Sequence, residues 1–311
     1  MAASSRPCLG DRLFLSDGGL ETTLVYLEGV DLPHFAAFVL LADAASRERL
    51  RRYYEPYLAL ASQTPDAGFV LETPTWRANA DWGQLLGHDA ESLARVNLEA
   101  VRLVRELRDE WQSRIGGGIV LSGVIGPRGD GYVATQPDDA ADAAAYHRPQ
   151  AQALQAGGVE MLAAVTMTNV DEAIGIARVA RELGLPAAIS FTVETDGRLP
   201  TGMPLREAIE RVDADAPPAY FAVNCAHPTH IEPALASGGA WIERIRGIRA
   251  NASMLSHAEL DAAAELDDGD PADLGECYRR LRAPLAGLNV LGGCCGTDAR
   301  HLRAIRDAWV R

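Results

Sequence analysis

Eight short apolar segments that alternate with longer segments of helical periodicity constrain this 311-residue chain more than any other feature. Continuous apolar runs, without alternating polar residues, are typical of strands covered on both faces, as in parallel sheets. The predicted strands are residues 13–16, 69–73, 119–124, 161–166, 187–193, 220–224, 247–250 and 288–291. Eight strand and helix alternations in a chain of this length predict a single (β/α)8 TIM barrel, forming one domain over residues 1–311. A doubly wound sheet is the alternative.

The segments between these strands carry clear helix signals. Apolar residues recur every three or four positions from Leu93 to Leu107, after the cap candidates Asp89 and Ser92. A helix over 171–183 is predicted to end at Gly184, which is a typical helix stop. Further helices are predicted at 47–63, 141–156, 205–212, 231–237, 274–282 and 298–309.

In a TIM barrel the carboxyl ends of the strands carry the active site. The segments that follow the eight predicted strands are, in order, DGGLET, ETPTWRAN, GPRGDGY, TMTN, ETDG, NCAHP, NAS and GGCCGT. Polar and reactive residues are concentrated there, which favours an enzyme.

The composition excludes several kinds of chemistry. The chain has 29 basic residues, all of them Arg, so Schiff-base catalysis and a P-loop lysine are excluded. The net charge of -14 argues against binding to nucleic acid or to an anionic membrane. There is no apolar run long enough to span a membrane and no secretion signal, so a cytosolic location is expected.

Three of the five cysteines lie at the ends of apolar runs, and together they predict a metal site. Cys225 follows the sixth predicted strand, whereas Cys294 and Cys295 follow the eighth. These strand ends can converge over the barrel mouth, where three thiolates would occupy three corners of a tetrahedral zinc site. The open fourth corner is typical of catalysis. Alternatively, Cys225 is a buried apolar residue and the cysteine pair a tight glycine-rich turn.

Two other groups of residues qualify this prediction. His227 and His230 form a Cys-x-His-x-x-His cluster with Cys225, so they could supply ligands themselves or donate hydrogen bonds behind the ligands. Cys8 and Cys277 stand alone in polar surroundings and are interpreted as bystanders. An odd number of cysteines in a long chain does not indicate a disulfide framework.

The segments DGGLET (17–22), VNC (223–225) and GGCCGT (292–297) resemble the zinc-dependent homocysteine S-methyltransferase family. The resemblance implies a (β/α)8 barrel in which Cys225, Cys294 and Cys295 bind zinc. The partners it implies are a small-molecule thiol, bound to the zinc as a thiolate, and a methyl donor with a sulfonium or quaternary ammonium group. S-methylmethionine, S-adenosylmethionine and betaine are donors of this kind.

The resemblance also suggests which residues bind the substrate. The candidates lie after the first, second and fifth strands: Asp17, Gly18, Gly19, Glu21, Thr73, Trp76 and Glu194. Asp17 and Gly18 could instead form a simple turn, and Glu21 could cap the next helix. Trp76 could hold a cationic donor by a cation–π contact, or could be a packed loop aromatic.

The sequence departs from the family pattern after the fourth strand. A Glu that contacts the substrate ammonium in the family corresponds here to Val165, which cannot pair with a cation. Either Glu194 or Glu72 supplies the charge, or the acceptor is a thiol or selenol other than homocysteine. Arg128 in GPRGDGY could bind a carboxylate or form a surface ion pair.

Two other functions stay open. A zinc hydrolase could use the same barrel, but three thiolates make zinc a weaker Lewis acid. A non-catalytic zinc- or redox-responsive protein would need exposed thiolates of low pKa.

Overall fold

The computed structural model describes residues 10–133 and 139–311, and it confirms the predicted barrel. Eight parallel strands follow one another in chain order around a closed sheet, with β8 pairing back to β1. The strands are β1 Phe14–Leu15, β2 Gly68–Glu72, β3 Ile119–Ile125, β4 Met161–Met167, β5 Ala187–Phe191, β6 Tyr220–Asn224, β7 Ile245–Ala250 and β8 Val290–Gly293. Cys8, interpreted from the sequence as a bystander, lies outside the described residues.

Helices surround this barrel and connect its strands. The α-helices are α1 Leu20–Thr22, α2 Ala44–Ser62, α3 Ala80–Leu85, α4 Ala90–Trp111, α5 Ala140–Gly157, α6 Val170–Glu182, α7 Leu205–Asp215, α8 Pro228–Leu235, α9 His257–Asp261, α10 Pro271–Leu281 and α11 Ala299–Val310. A π-helical turn at Thr23–Leu27 and 3-10 turns at Pro33–Phe35, Ala37–Leu41 and Ala240–Arg244 complete the set. No helix in the described ranges has the length and apolarity needed to cross a membrane.

The helix signals read from the sequence are confirmed at their ends. Asp89 caps α4 and forms a reciprocal capping box with Ser92. Gly184 follows α6 with a left-handed φ of 71°, as a helix stop requires. The predicted helix 231–237 begins earlier, at Pro228, because the His227 side chain caps it and proline fits a first helical turn.

Strand register differs most from the prediction at β8. The predicted strand 288–291 is shifted to Val290–Gly293, because Gly292 and Gly293 pair with Arg249 and Ala250 of β7. The shift brings Cys294 directly to the end of the ladder. Apolar side chains such as Phe14, Met161 and Tyr220, at the amino ends of their strands, fill the barrel interior. The open end of the barrel therefore lies at the carboxyl ends of the strands.

Candidate active site

The three cysteines predicted as metal ligands converge at the carboxyl ends of β6 and β8. Their Sγ atoms all lie within 4.8 Å of one another, with Cys225 buried and the other two half-buried. The structure joins Cys225 to Cys294 as a disulfide, with their Cα atoms 5.4 Å apart, and leaves Cys295 as a thiol. The sequence analysis does not anticipate this bond, which is possible because both strand ends bring their sulfurs to one point.

The backbone of Cys225 is held in a conformation that residues other than glycine rarely adopt. Its φ is 54°, in the left-handed region. Its carbonyl oxygen accepts hydrogen bonds from His257 Nε2 at 2.7 Å and from Asn251 Nδ2 at 3.0 Å. These contacts fix the direction in which its sulfur points, and a strained backbone held in this way is typical of functional sites.

The loop that carries Cys294 and Cys295 packs directly on the DGGLET segment. The Gly19 N–H donates to Thr297 O at 3.0 Å, and Thr22 Oγ1 accepts from the Gly296 N–H at 3.1 Å. A Cβ at Gly19 would lie 2.5 Å from the carbonyl oxygen of Cys294, a distance that atoms in contact do not tolerate. Glycine is therefore required there for close approach.

Asp17 is bound on both sides by residues of this chain. Its carboxylate accepts from Tyr53 Oη at 3.0 Å and from Arg249 Nη2 at 2.7 Å. Arg249 also forms an ion pair with Glu72, so one guanidinium is shared by two carboxylates. All three charged side chains are largely withdrawn from water, where such a pairing is needed to keep them ionised.

A cavity of about 280 Å³ opens beside the sulfurs. Its lining contains two arginines, Arg77 and Arg249, and seven acids: Asp17, Glu21, Glu72, Asp130, Asp261, Glu265 and Asp267. The walls therefore carry an excess of negative charge, which attracts cations into the cavity.

Glu21 differs from Asp17 and Glu72, the cavity acids paired with Arg249, because it has no ion-pair partner among the described residues. Its side chain is half-buried in the cavity wall. Removal from water raises the pKa of the Glu21 carboxyl to about 7; the charge of Asp17 adds to the rise, and Arg249 and Arg77 oppose it. Glu21 can therefore offer an unpaired charge to a ligand once its carboxyl is ionised.

Several other predicted residues also line the cavity. Thr73 does so, but its hydroxyl already accepts from the Val124 N–H at 3.0 Å. Trp76 does so with one face covered by Arg77, whose Cζ lies 4.0 Å from a ring centroid. Val165 lines the same wall and adds no charge to it.

Other candidates lie outside the cavity. Glu194 is not among its lining residues; its carboxylate accepts from His257 Nδ1 at 3.0 Å instead. His227 caps α8 and His230 donates to Met254 O at 3.0 Å, so neither is part of the sulfur cluster. Burial lowers the pKa of His227 to about 4 and keeps it neutral. Arg128 forms the alternative surface ion pair, with Asp81 at 2.9 Å.

Three residues of the site are missed by the sequence analysis: Arg249, Tyr132 and His257. Arg249 had a usable signal, since it is a charge inside a predicted strand run close to the strand end. Tyr132 and His257 lie in loops, and nothing in their local sequence indicates that they would meet over the cysteines.

The three cysteines fit a bound metal ion. Sulfur ligands of tetrahedral zinc lie about 3.8 Å apart, given a bond length of about 2.3 Å. The separations within 4.8 Å agree with such a cluster once Cys225 and Cys294 are reduced. Because the cavity borders the sulfurs, a fourth position is accessible to a small molecule. A barrel with three clustered cysteines beside an open, acid-walled cavity at its strand ends has the arrangement of an enzyme active site that could hold a metal ion.

Comparison with known proteins identifies the family. A sequence model described as homocysteine S-methyltransferase matches residues 14–309, so the chain belongs to that family and is an S-methyltransferase. It is 25% identical to homocysteine S-methyltransferase of Escherichia coli, over 94% of both chains. It is 24% identical to betaine–homocysteine S-methyltransferase 1 of Rattus norvegicus, over 84% of this chain and 64% of the relative.

Solved structures agree on the fold. The oxidized form of the homocysteine methyltransferase of Escherichia coli superimposes with a TM-score of 0.77, at 23% identity and over 96% of both chains. Its metallated form gives 0.72 at 21% identity, again over 96% of both chains. These matches confirm the TIM barrel.

Proposed function

We propose that the protein is a zinc-dependent S-methyltransferase that moves a methyl group from a sulfonium or quaternary ammonium donor to the sulfur of homocysteine or a closely related thiol. The observation that carries this proposal is the convergence of three Sγ atoms within 4.8 Å beside a cavity. When bound, zinc would keep the acceptor sulfur deprotonated at neutral pH. Methylation of homocysteine would yield methionine.

The charge of the cavity supports a cationic donor. Seven acids against two arginines favour binding of a sulfonium or a quaternary ammonium group over an anionic methyl carrier. A volume of about 280 Å³ suits a small donor such as S-methylmethionine or betaine. The need for three reduced thiols supports the expected cytosolic location.

The test uses reduced protein, because the disulfide and the metal compete for the same sulfurs. We expect one zinc per chain by colorimetric chelation. Mass spectrometry of homocysteine, selenocysteine and other small thiols, each with S-methylmethionine, S-adenosylmethionine or betaine, should show methylated acceptor only when donor and acceptor are both present. Product without a thiol acceptor would instead favour the hydrolase.

Two serine variants make this test specific. Cys295→Ser should lose most zinc and activity. Cys277→Ser is the matched control, because Cys277 is buried in α10 and contacts Arg280 Nη2 at 3.1 Å, away from the cluster. Retention of stoichiometric zinc and full activity in Cys295→Ser contradicts the proposal.

We propose further that Glu21 binds the ammonium of the acceptor. Val165 carries no charge, and Asp17 and Glu72 both pair with Arg249, whereas Glu21 has no ion-pair partner among the described residues. Its position in the cavity wall supports this assignment, because a bound amino acid would occupy the cavity. Glu194, one of the two acids considered for this role from the sequence, is engaged by His257.

Acceptors with and without an amine test this assignment. In Glu21→Gln we expect KM for homocysteine to rise about tenfold or more, since a hydrogen bond to a charged group is lost. KM for 4-mercaptobutyrate, which lacks the amine, should not change. Glu265→Gln, at the exposed rim of the same cavity, is the matched control. An equal effect on both acceptors would show that Glu21 does not bind the amine.

A further inference from the structure

Tyr132 touches one of the three cysteine sulfurs, although nothing in its sequence context suggests a role. It lies in the loop after β3, and its Oη is 3.4 Å from Cys295 Sγ. Its ring stacks on the imidazole of His257, with centroids 4.2 Å apart and planes inclined by 16°. Tyr132 also lines the cavity, as Cys295 does.

His257 contacts both Tyr132 and the backbone of a second cysteine, Cys225. His257 Nε2 lies 2.7 Å from the carbonyl oxygen of Cys225, and Nδ1 lies 3.0 Å from Glu194 Oε1. His257 is buried, so the stacked pair is well fixed. These contacts link Glu194 to His257, His257 to Tyr132, and Tyr132 to Cys295. His257 also contacts the carbonyl oxygen of Cys225.

The direction of the Tyr132 hydrogen bond follows from the chemistry of a thiolate. A deprotonated sulfur has no proton to give, so the Tyr132 hydroxyl must donate to Cys295. A hydrogen bond to the charged form stabilises it, and a stabilised thiolate is a weaker nucleophile. The contact therefore makes Cys295 less reactive toward an electrophile in the cavity.

A methyl donor in this cavity faces the enzyme's own sulfurs as well as the acceptor's. Cys225 is buried, and the sulfur of Cys294 lies against that of Cys225. Cys295 is half-buried, and its sulfur is the one that contacts Tyr132. Its methylation would break the methyl–sulfur bond of a sulfonium donor, form a bond from carbon to Cys295 Sγ and release a neutral thioether. It would also destroy a metal ligand.

We propose that Tyr132 is a positioning residue that protects Cys295 from methylation by donating a hydrogen bond to its sulfur, and that His257 and Glu194 hold it there. The inference rests on the proposed function. It assigns Glu194 a role through His257 and Tyr132, in place of the direct substrate contact that the sequence suggests.

Site-resolved alkylation tests this without any knowledge of the natural donor. Reduced, zinc-loaded wild type and Tyr132→Phe are exposed to iodoacetamide for timed intervals, and each cysteine is quantified by peptide fragmentation. We expect Cys295 to react about tenfold faster in Tyr132→Phe than in the wild type. This is the factor expected from losing a hydrogen bond to a charged sulfur, which is about tenfold. Cys225 and the distant Cys277 should react at wild-type rates.

Two controls separate protection from general loosening. Tyr26→Phe makes the same change at another tyrosine of the cavity and should leave the Cys295 rate unaltered. Zinc bound to each sample is measured in parallel, because loss of metal would expose all three ligands. His257→Gln, which removes the stacked ring while Tyr132 keeps its hydroxyl, should raise the Cys295 rate in the same direction.

The inference is overturned if Cys295 reacts equally fast in wild type and Tyr132→Phe with zinc retained, or if all three ligand cysteines accelerate together. A second electrophile, S-methylmethionine without acceptor, should add one methyl group to Cys295 in Tyr132→Phe. If the iodoacetamide difference is present while no methyl transfer occurs in any donor and acceptor pair, the proposed function fails and the protective contact stands.

Discussion

Replacing Arg249 by Met should destabilise the whole barrel, because it removes the cation that pairs with both Asp17 and Glu72 in the described part of the chain. Both carboxylates are nearly enclosed, with side-chain exposures of 5% and 12%. Met fills a similar volume without charge, so the effect isolates the ion pairs. The buried acids must then either stay charged without a partner or take up protons, and both cost free energy.

The expected size follows from the loss of one partner in a buried ion pair. Such a loss destabilises a protein by about 3–5 kcal/mol. A chain of 311 residues has an unfolding entropy of about 0.65 kcal/mol/K, from about 2.1 cal/mol/K per residue. Dividing the two gives a fall in Tm of about 5–8 °C.

Thermal unfolding of reduced, zinc-loaded protein at pH 7.5 measures this effect. Arg246→Met is the matched control on the same strand, because Arg246 donates to Asn289 Oδ1 and to a backbone carbonyl near the surface. It should lower Tm by less than about 2 °C. A Tm within 1 °C of wild type at pH 7.5 would refute the reasoning.

Two further predictions concern the strand-end loops. Gly19→Ala should lower zinc affinity, because its Cβ would lie 2.5 Å from the Cys294 carbonyl oxygen and displace the loop that carries Cys294 and Cys295. Gly10→Ala is the control, because no atom lies within 4 Å of its Cβ. In chelator competition this control should bind zinc as the wild type does. Affinity for methionine, the expected product, should rise with pH through about 7 as Glu21 ionises, since the raised pKa of Glu21 leaves it partly protonated below that value. Calorimetric titration from pH 6 to 8 measures this slope, which should be absent in Glu21→Gln; an equal slope in that variant assigns it to another group.

The barrel could be predicted from the sequence because each strand is covered on both faces. Burial on both sides produces continuous apolar runs, as in FVLE of β2 and YFAVN of β6, and these need no tertiary information to recognise. Cys225, Cys294 and Cys295 were predictable for a related reason, since the ends of those runs define the barrel mouth. That the barrel forms one domain over all 311 residues stays a prediction.

Contacts between loops could not be predicted in the same way. Glu194 follows β5, at a place where a substrate contact is reasonable, yet its carboxylate turns to His257 of α9. The direction of a side chain in a loop depends on what the neighbouring loop offers, and α9 is too short to show a helical period. Tyr132 was missed for the same reason, because its partner His257 is distant in sequence.

The glycines before the cysteine pair show how register links the metal loop to the charge of the cavity. The register places Gly292 opposite Arg249 of β7. A Cβ at Gly292 would lie 3.1 Å from Arg249 Cγ and 2.0 Å from Ser16 Oγ. Glycine there lets Arg249 run beside β8 to Asp17. The same segment that presents two sulfurs thus also admits the guanidinium that pairs with two acids, whereas no ion-pair partner of Glu21 is found in residues 10–133 and 139–311.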